Sequence, residues 1–267
     1  MNSITAENLS AAYEDKLVVD GLDLNIPKGM ITSIIGPNGC GKSTVLKTLG
    51  RIMKPRNGMV YLNGKDISRL SAKEIAIRMA ILPQSPQAPS GLTVGDLVSY
   101  GRYPHQRGFG TMKPEDRKIV EWALEVTKLS DLETTAVDNM SGGQRQRVWI
   151  AMALAQQTDL ILLDEPTTYL DMSYQLEVLE LLYRLNREQN CTIAMVLHDL
   201  NLAARFSDHM IAIRGGNIVR YGTPEEVMTA DVLRKTFRVH AEIVTDPRSG
   251  RPACISYDLI RDEGDNS

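Results

Sequence analysis

An alternating α/β architecture carrying a helical insertion is the fold class that three observations in this chain predict. Met30–Ile35 reads as a strand that passes directly into GPNGCGKST (Gly36–Thr44), and a helical stretch, Val45–Leu49, follows at once. That order is strand, tight glycine loop, helix. Two further short runs, LILLDE (Leu160–Glu165) and TIAMVL (Thr192–Leu197), are almost wholly apolar, as parallel strands covered on both faces are. Between them Leu176, Leu179, Glu180 and Tyr183 recur at helical spacing, so Ser173–Glu188 reads as the helix of a right-handed strand-helix-strand crossover.

The remaining elements follow from local pattern. Ile4–Leu9 and Leu22–Ile26 read as strands, with a turn at Pro27-Lys28-Gly29 before the third, and Met59–Leu62 as another strand. From about Ser85 to Ala155 the character changes. A loop-like PQSPQAPSG precedes helical patterns at Val94–Tyr100, Glu115–Lys128 and Gly142–Ala155, the middle one carrying Ile119, Trp122, Ala123 and Val126 on one face. This is the insertion, spanning about 85–157. Ala241–Thr245 and Ala253–Asp258 flank PRSGR as an expected hairpin to which the sequence assigns no chemistry, and the terminal RDEGDNS is expected to be disordered.

Composition narrows the function. The 267 residues, 43% of them hydrophobic, can bury a substantial core. The 30 basic and 33 acidic residues leave a formal charge of -3 with no basic block, which argues against nucleic acid as the ligand. Three widely spaced cysteines (Cys40, Cys191, Cys254) suit reduced thiols in a cytosolic setting, with no bridges and no metal site. No run approaches the 18 apolar residues that span a bilayer, and MNSITAENLSAAYEDK lacks the basic region and apolar core expected of a secretory leader. Any membrane role is expected to come through a partner.

The chemistry starts at the glycine loop. Gly36, Gly41, Lys42 and Ser43 satisfy G-x-x-x-x-G-K-[ST], in which the backbone curls so that its N–H groups face a phosphate chain at a helix start. The whole loop, Gly36, Pro37, Asn38, Gly39, Cys40, Gly41, Lys42, Ser43 and Thr44, is expected to bind the phosphates of ATP. Lys42 would reach the β- and γ-phosphates, Ser43 would ligate Mg²⁺, and Thr44 would bond an α-phosphate oxygen. Cys40 could be an activated thiol or a small filler; the loop is chemically complete without sulfur, which favours the filler. Asp164 and Glu165 end a buried strand, the place where such sheets bind ligands. Asp164 is expected to hold Mg²⁺ through its water shell. Glu165, one residue on and facing the other way, is expected to polarise the attacking water.

Ser141-Gly142-Gly143-Gln144, followed by Arg145-Gln146-Arg147, resembles the signature of ATP-binding-cassette (ABC) ATPases. At a helix start it puts a hydroxyl, backbone amides and the helix dipole together as a second anion site. The resemblance runs from about residue 2 to 240, leaving 241–267 as an extension, and implies a P-loop NTPase core with a mixed sheet and an inserted helical subdomain. It further implies that Tyr13 stacks on adenine, that Gln84 links Mg²⁺ and water to a permease, that His198 contacts the γ-phosphate, and that the Thr168–Asp171 loop, with Asp171, crosses to a second copy. Met140 and Thr168-Tyr169 depart mildly from the family's usual residues. GRYPHQ (Gly101–Gln106) and DEPTTYLDMSYQLEVL (Asp164–Leu179) look like the branch that imports ferric siderophores, with vitamin B12 and haem importers close by. The implied partners are a second copy of the chain, integral membrane permease subunits and an extracellular or periplasmic binding protein. The implied place is the cytoplasmic face of the membrane. An exporter motor and a soluble cassette ATPase are the rival readings.

Overall fold

The computed structural model describes residues 2–106, 112–168 and 170–261. The last residues, expected to be disordered, lie outside the described residues from 262 on, as does Tyr169. In chain order the elements are strands β1 (Asn2–Tyr13), β2 (Lys16–Pro27) and β3 (Ile31–Ile35), helix α1 (Lys42–Leu49), and strands β4 (Asn57–Leu62) and β5 (Lys65–Asp66). Then come α2 (Ala72–Arg78), β6 (Met79–Leu82), α3 (Val94–Ser99), α4 (Pro114–Val126), α5 (Gly142–Ala155), β7 (Leu160–Asp164), α6 (Met172–Gln189) and β8 (Thr192–Val196). The chain continues with α7 (Leu200–Phe206), β9 (His209–Arg214), β10 (Asn217–Gly222), α8 (Pro224–Val227), α9 (Ala230–Phe237), β11 (Val239–Thr245) and β12 (Pro252–Leu259). Two compact units result, Met1–Ser68 with Ala194–Ser267, and Arg69–Ile193.

In the first unit an antiparallel sheet runs β2-β1-β4-β5, and β3 belongs to a mixed arrangement, parallel to β9, which is antiparallel to β10. Every residue of β3 is buried. Its start is locked to β9 by a reciprocal pair: Ile31 N–H donates to the Asp208 carboxylate and Asp208 N–H to Ile31 O, both at 2.9 Å. This fixes the register that delivers residue 36 to the mouth of the sheet.

In the second unit β6 and β7 pair in parallel, from Met79 opposite Leu160 to Leu82 opposite Leu163. Three of its helices start on capping boxes, Ser71 with Glu74, Thr93 with Asp96 and Ser141 with Gln144, each satisfying donors a helix end leaves open. The buried stripe of α4 is Val120, Ala123 and Leu124, a rotation from the expected face; Ile119 and Trp122 are half-buried. Strands β6, β9 and β10 have no counterpart in the reading from sequence, although Gly215-Gly216 between two apolar runs is a hairpin signal. No helix among the described residues is long and apolar enough to cross a membrane.

Candidate functional site

The glycine loop, in the first unit, is shaped by what surrounds it. A Cβ on Gly36 would sit 2.2 Å from the Ile213 carbonyl oxygen and 2.8 Å from Cys40 Sγ, so only glycine lets the chain leave β3 at this point. Gly41, which precedes α1, has φ 105°, a conformation that side chains disfavour. Lys42 is 5% exposed. Its ammonium arches back over the loop and donates to Gly36 O at 2.8 Å and Pro37 O at 3.0 Å. These are neutral acceptors, weaker partners for an ammonium than a phosphate oxygen. Helix α1 begins with no side-chain cap and no acidic residue in its first turn, which leaves the positive end of its dipole open to an anion.

Burial pushes the Cys40 thiol above its ordinary pKa and outweighs the opposing pull of Lys42. That direction favours a small buried filler over an activated thiol. Two supports of the loop were not foreseen. Gly216 N–H donates to Cys40 O at 3.1 Å, and a Cβ on Gly216 would lie 2.3 Å from Val18 O. The β9–β10 turn thus presses against both β2 and the loop, and Gly215-Gly216 was its only sequence signal.

Of the other residues expected at the site, Tyr13 ends β1 opposite Lys16 and is 47% exposed. His198 is exposed, two residues beyond β8 and next to Asp199, the cap of α7.

The second unit holds the carboxylates. Strand β7 ends at Asp164, which is 2% exposed. The separation of Asp164 from Glu165 does not come from strand alternation, as the sequence suggested, because Glu165 has φ 53°. A non-glycine residue held there costs about 1 kcal/mol or more, and such strain clusters at functional sites. The turn gathers donors onto the buried Glu165 carboxylate: the Gln84 side-chain amide and the Thr168 hydroxyl both donate to Oε2, the latter at 2.9 Å. Gln84 and Glu165, both expected at the site, are thus brought together from segments 81 residues apart, and Thr168, expected in the loop that crosses to a second copy, joins them. A carboxylate gripped in this way can orient a water molecule for attack.

The signature serine is more occupied than expected. Ser141 Oγ accepts Gln144 N–H at 3.2 Å, and Gln144 Oε1 accepts Ser141 N–H at 3.0 Å. Accepting one N–H leaves the hydroxyl proton to donate to an anion. Gly142 has nothing within 4 Å of a built Cβ, and for Gly143 the nearest atoms, in Leu170 and Tyr174, stand at an ordinary 3.6 Å. Among the described residues, none outside the neighbouring stretch of chain excludes a side chain at Gly142. Asp171 caps α6, accepting Tyr174 N–H at 3.0 Å and the Ser173 hydroxyl at 3.1 Å, and the Tyr174 bond above all holds its carboxyl below the ordinary range. Met140 is buried, and its carbonyl accepts from Arg145 at 2.8 Å.

The GRYPHQ run grips the end of α5. A Cβ on Gly101 would meet Met152 O at 2.3 Å, Arg102 donates to Ala155 O and to buried Asp116, and the His105 ring bonds Gln156 O at 2.8 Å. Of this run Tyr103, 58% exposed, is the large side chain left outward.

A glycine loop at a helix start, a capped Ser-Gly-Gly-Gln helix and a strained glutamate after a buried strand define a class of nucleotide-hydrolysing cassette, and comparison with known proteins agrees. The family model described as ABC transporter matches residues 19–168, and the chain belongs to that family. It is 60% identical over 263 residues, 98% of each chain, to the iron(3+)-hydroxamate import ATP-binding protein FhuC of Bacillus subtilis (strain 168). It is 47% identical over 252 residues, 94% of this chain and 93% of the other, to the ferric enterobactin transport ATP-binding protein FepC of Escherichia coli (strain K12). Among solved structures, the dimeric bacterial ABC transporter cassette MJ0796 matches with a TM-score of 0.74 and 31% identity, over 82% of this chain and 98% of that one.

Proposed function

We propose that this chain is the ATP-hydrolysing subunit that energises import of a ferric siderophore through a separate membrane permease, with a hydroxamate chelate as the favoured cargo. The observation that carries the hydrolytic part is the strained Glu165 with its carboxylate gripped by Gln84 and Thr168. The cargo is supported by the 60% identity to a hydroxamate importer's ATP-binding protein; cargo choice itself resides in other subunits.

In this reading the triphosphate of ATP lies along Gly36–Thr44, and Lys42 exchanges its two carbonyl partners for the β- and γ-phosphates. Thr44 holds the α-phosphate, Tyr13 stacks on adenine, and His198 meets the γ-phosphate. Glu165 takes the proton of the attacking water, which Gln84 helps to orient. Among the described residues no group of three or more His, Cys, Asp or Glu side chains is placed to hold a metal alone. Magnesium needs fewer, because it binds one or two oxygen ligands together with substrate phosphates and water. The Ser43 hydroxyl, the Gln84 amide oxygen and the Asp164 carboxylate are hard oxygen donors that fit it. The ion would neutralise charge on the β- and γ-phosphates.

A second copy is part of the proposal. Glycine is a poor helix former against alanine, and among the described residues Gly142, at the start of α5, has no neighbour that requires it. A nucleotide held by the partner copy, approaching Ser141, Gly142, Gly143 and Gln144 with Asp171 nearby, supplies the missing reason. The cassette would cover residues 2–240, with the helical subdomain at about 85–157 meeting the permease at the cytoplasmic face and a binding protein delivering cargo from outside.

The test is ATP hydrolysis by the importer reconstituted in vesicles. Binding protein loaded with a ferric hydroxamate should raise the rate severalfold, and cobalamin-loaded or haem-loaded proteins should not. A stronger response to either would reassign the cargo, and no ATP turnover at all would remove the motor.

A further inference from the structure

Arg147 belongs to the run that follows the signature serine, yet the function proposed above gives it no task. It stands one turn beyond Gly143 on the same face of α5, and its Cζ lies 4.8 Å from the centre of the Tyr174 ring in the first turn of α6. That is within reach of a cation–π contact. Arg147 Nη2 also stands 3.5 Å from Glu177 Oε2, about a turn further along α6. The buried Nε–H has no hydrogen-bond acceptor among the described residues, so within that set the ring face and Glu177 are what the guanidinium has to hold it.

The same ring backs the signature. The atoms nearest to a Cβ built on Gly143 belong to Leu170 and Tyr174, all at 3.6 Å, so Gly143 and Arg147 together set one face of α5 on Tyr174. The ring is itself well placed to act as a stop, because Asp171 accepts the Tyr174 N–H at 3.0 Å and caps the helix that carries it. Elsewhere α5 is committed to the insertion, where it packs against α3 and α4. Past Arg147, between the end of α4 and the side of α6, lies a cavity of about 300 Å³ lined by Val126, Arg147, Glu177 and Leu181 among others. A further tie, Lys128 to Glu177, is exposed and 3.9 Å long, and such pairs hold little. The joint between the signature helix and α6 is therefore made at Tyr174 and not by continuous packing.

We propose that Tyr174 is a positioning residue for the signature: its ring carries the Gly143–Arg147 face of α5 and so fixes the direction in which Ser141 and the first N–H groups of that helix point. This rests on the reading given above that the start of α5 meets a nucleotide held by a second copy. Tyr174 then acts from its own protomer on the ATP of the other.

The test reads kcat of the full chain in its reconstituted transporter. Tyr174→Leu keeps apolar bulk beside Gly143 but offers no π face to Arg147, and kcat should fall about fivefold, the factor that about 1 kcal/mol represents. ATP binding measured without Mg²⁺ should not change. Tyr174→Phe keeps the ring and should restore the wild-type rate. Arg147→Met, which keeps length and drops the charge, should cause a similar loss and add nothing to Tyr174→Leu. Which group Tyr174 serves is read from doubly tagged mixed dimers in which one protomer carries Ser141→Arg. The ATP still hydrolysed then lies on Lys42 and Glu165 of that altered protomer and on the signature of the other. Tyr174→Leu added to the other protomer should cost the fivefold loss; added to the Ser141→Arg protomer it should cost nothing, because the signature it serves is already lost. The reverse order would place its action on Glu165 through the Thr168–Asp171 loop, and equal losses, or a Tyr174→Leu chain as fast as wild type, would leave the ring with no positioning role. Each of these overturns the proposal while the reading of the signature stands. If a dimer with Ser141→Arg in both protomers hydrolyses ATP normally, the reading of the signature falls, and this inference with it.

Discussion

The side-chain amide of Gln84 donates to the carboxylate of Glu165, 81 residues further along the chain, and the hydroxyl of Thr168 donates to the same oxygen. The base proposed for the attacking water is thereby held from two directions, on a residue whose backbone is already strained.

Glu165→Gln should keep the shape and lose the base. ATP binding should persist, ATP-bound dimers should accumulate, and turnover should fall about a hundredfold or more. Gln84→Ala should lower kcat about tenfold, with ATP affinity measured without Mg²⁺ unchanged, since it frees the carboxylate without touching the phosphate loop. Equilibrium binding and steady-state hydrolysis check both; near-normal turnover by Glu165→Gln would remove Glu165 from its role.

The phosphate loop should fail when its backing is filled. Gly216→Ala places a Cβ 2.3 Å from Val18 O beneath the loop, so ATP affinity should drop about tenfold although the residue has no place at the nucleotide. Gly36→Ala, at 2.2 Å from Ile213 O, should cost about 2 kcal/mol and lower Tm by about 5 °C. Wild-type affinity in the first variant would show that the β9–β10 turn does not shape the loop.

Gly142→Ala should separate stability from activity. It crowds no atom among the described residues and extends good helix propensity, so Tm should hold or rise while turnover falls. The origin of that loss can be located with doubly tagged mixed dimers. Lys42→Ala in one protomer with Ser141→Arg in the other leaves one intact site if each ATP is shared across the interface. Both changes in one protomer, paired with wild type, then leave none. The first pair should be the more active; the reverse order would place the site within one protomer.

Thiol labelling reports the state of the loop. Burial raises the Cys40 thiol and, with Asp159 adding to it, pushes Cys191 up to about 12; Cys254, also raised by burial, is partly exposed. A raised pKa keeps a thiol protonated until the pH climbs to it, and only the thiolate reacts with alkylating agents. At about pH 8, near the ordinary thiol value, iodoacetamide should modify Cys254 first, and Cys40 and Cys191 only after unfolding. Mass spectrometry reads this directly. Equal reactivity of Cys40 and Cys254 would contradict the filler assignment.

Much of this was legible because the informative runs are short and extreme. An unbroken apolar strand ending in Asp164-Glu165 and a loop with glycines at 36, 39 and 41 before Lys42 each admit few structures, and α5 begins and ends where the Ser141 cap and its helical pattern put it. Strand β6 was hidden because four residues, Met79–Leu82, show no periodicity that separates strand from helix. The role of Gly216 was hidden because its requirement arises from Val18 and Cys40, far away in the chain. The turn at Glu165 has no sequence signature, since glutamate has no preference for a positive φ. The bond of the Asn201 side chain to the Cys254 backbone joins an exposed residue and a half-buried one that carry no pattern.

The central claim is that this chain turns ATP hydrolysis at Glu165 into inward movement of a ferric chelate. Uptake of radiolabelled iron hydroxamate into sealed vesicles containing the permease, this chain and trapped ATP, with loaded binding protein outside, tests it most directly. Accumulation should require trapped ATP and should vanish with Glu165→Gln, while a ferric chelate held by its binding protein alone should stay outside. Equal accumulation with the wild-type and Glu165→Gln chains would contradict the account.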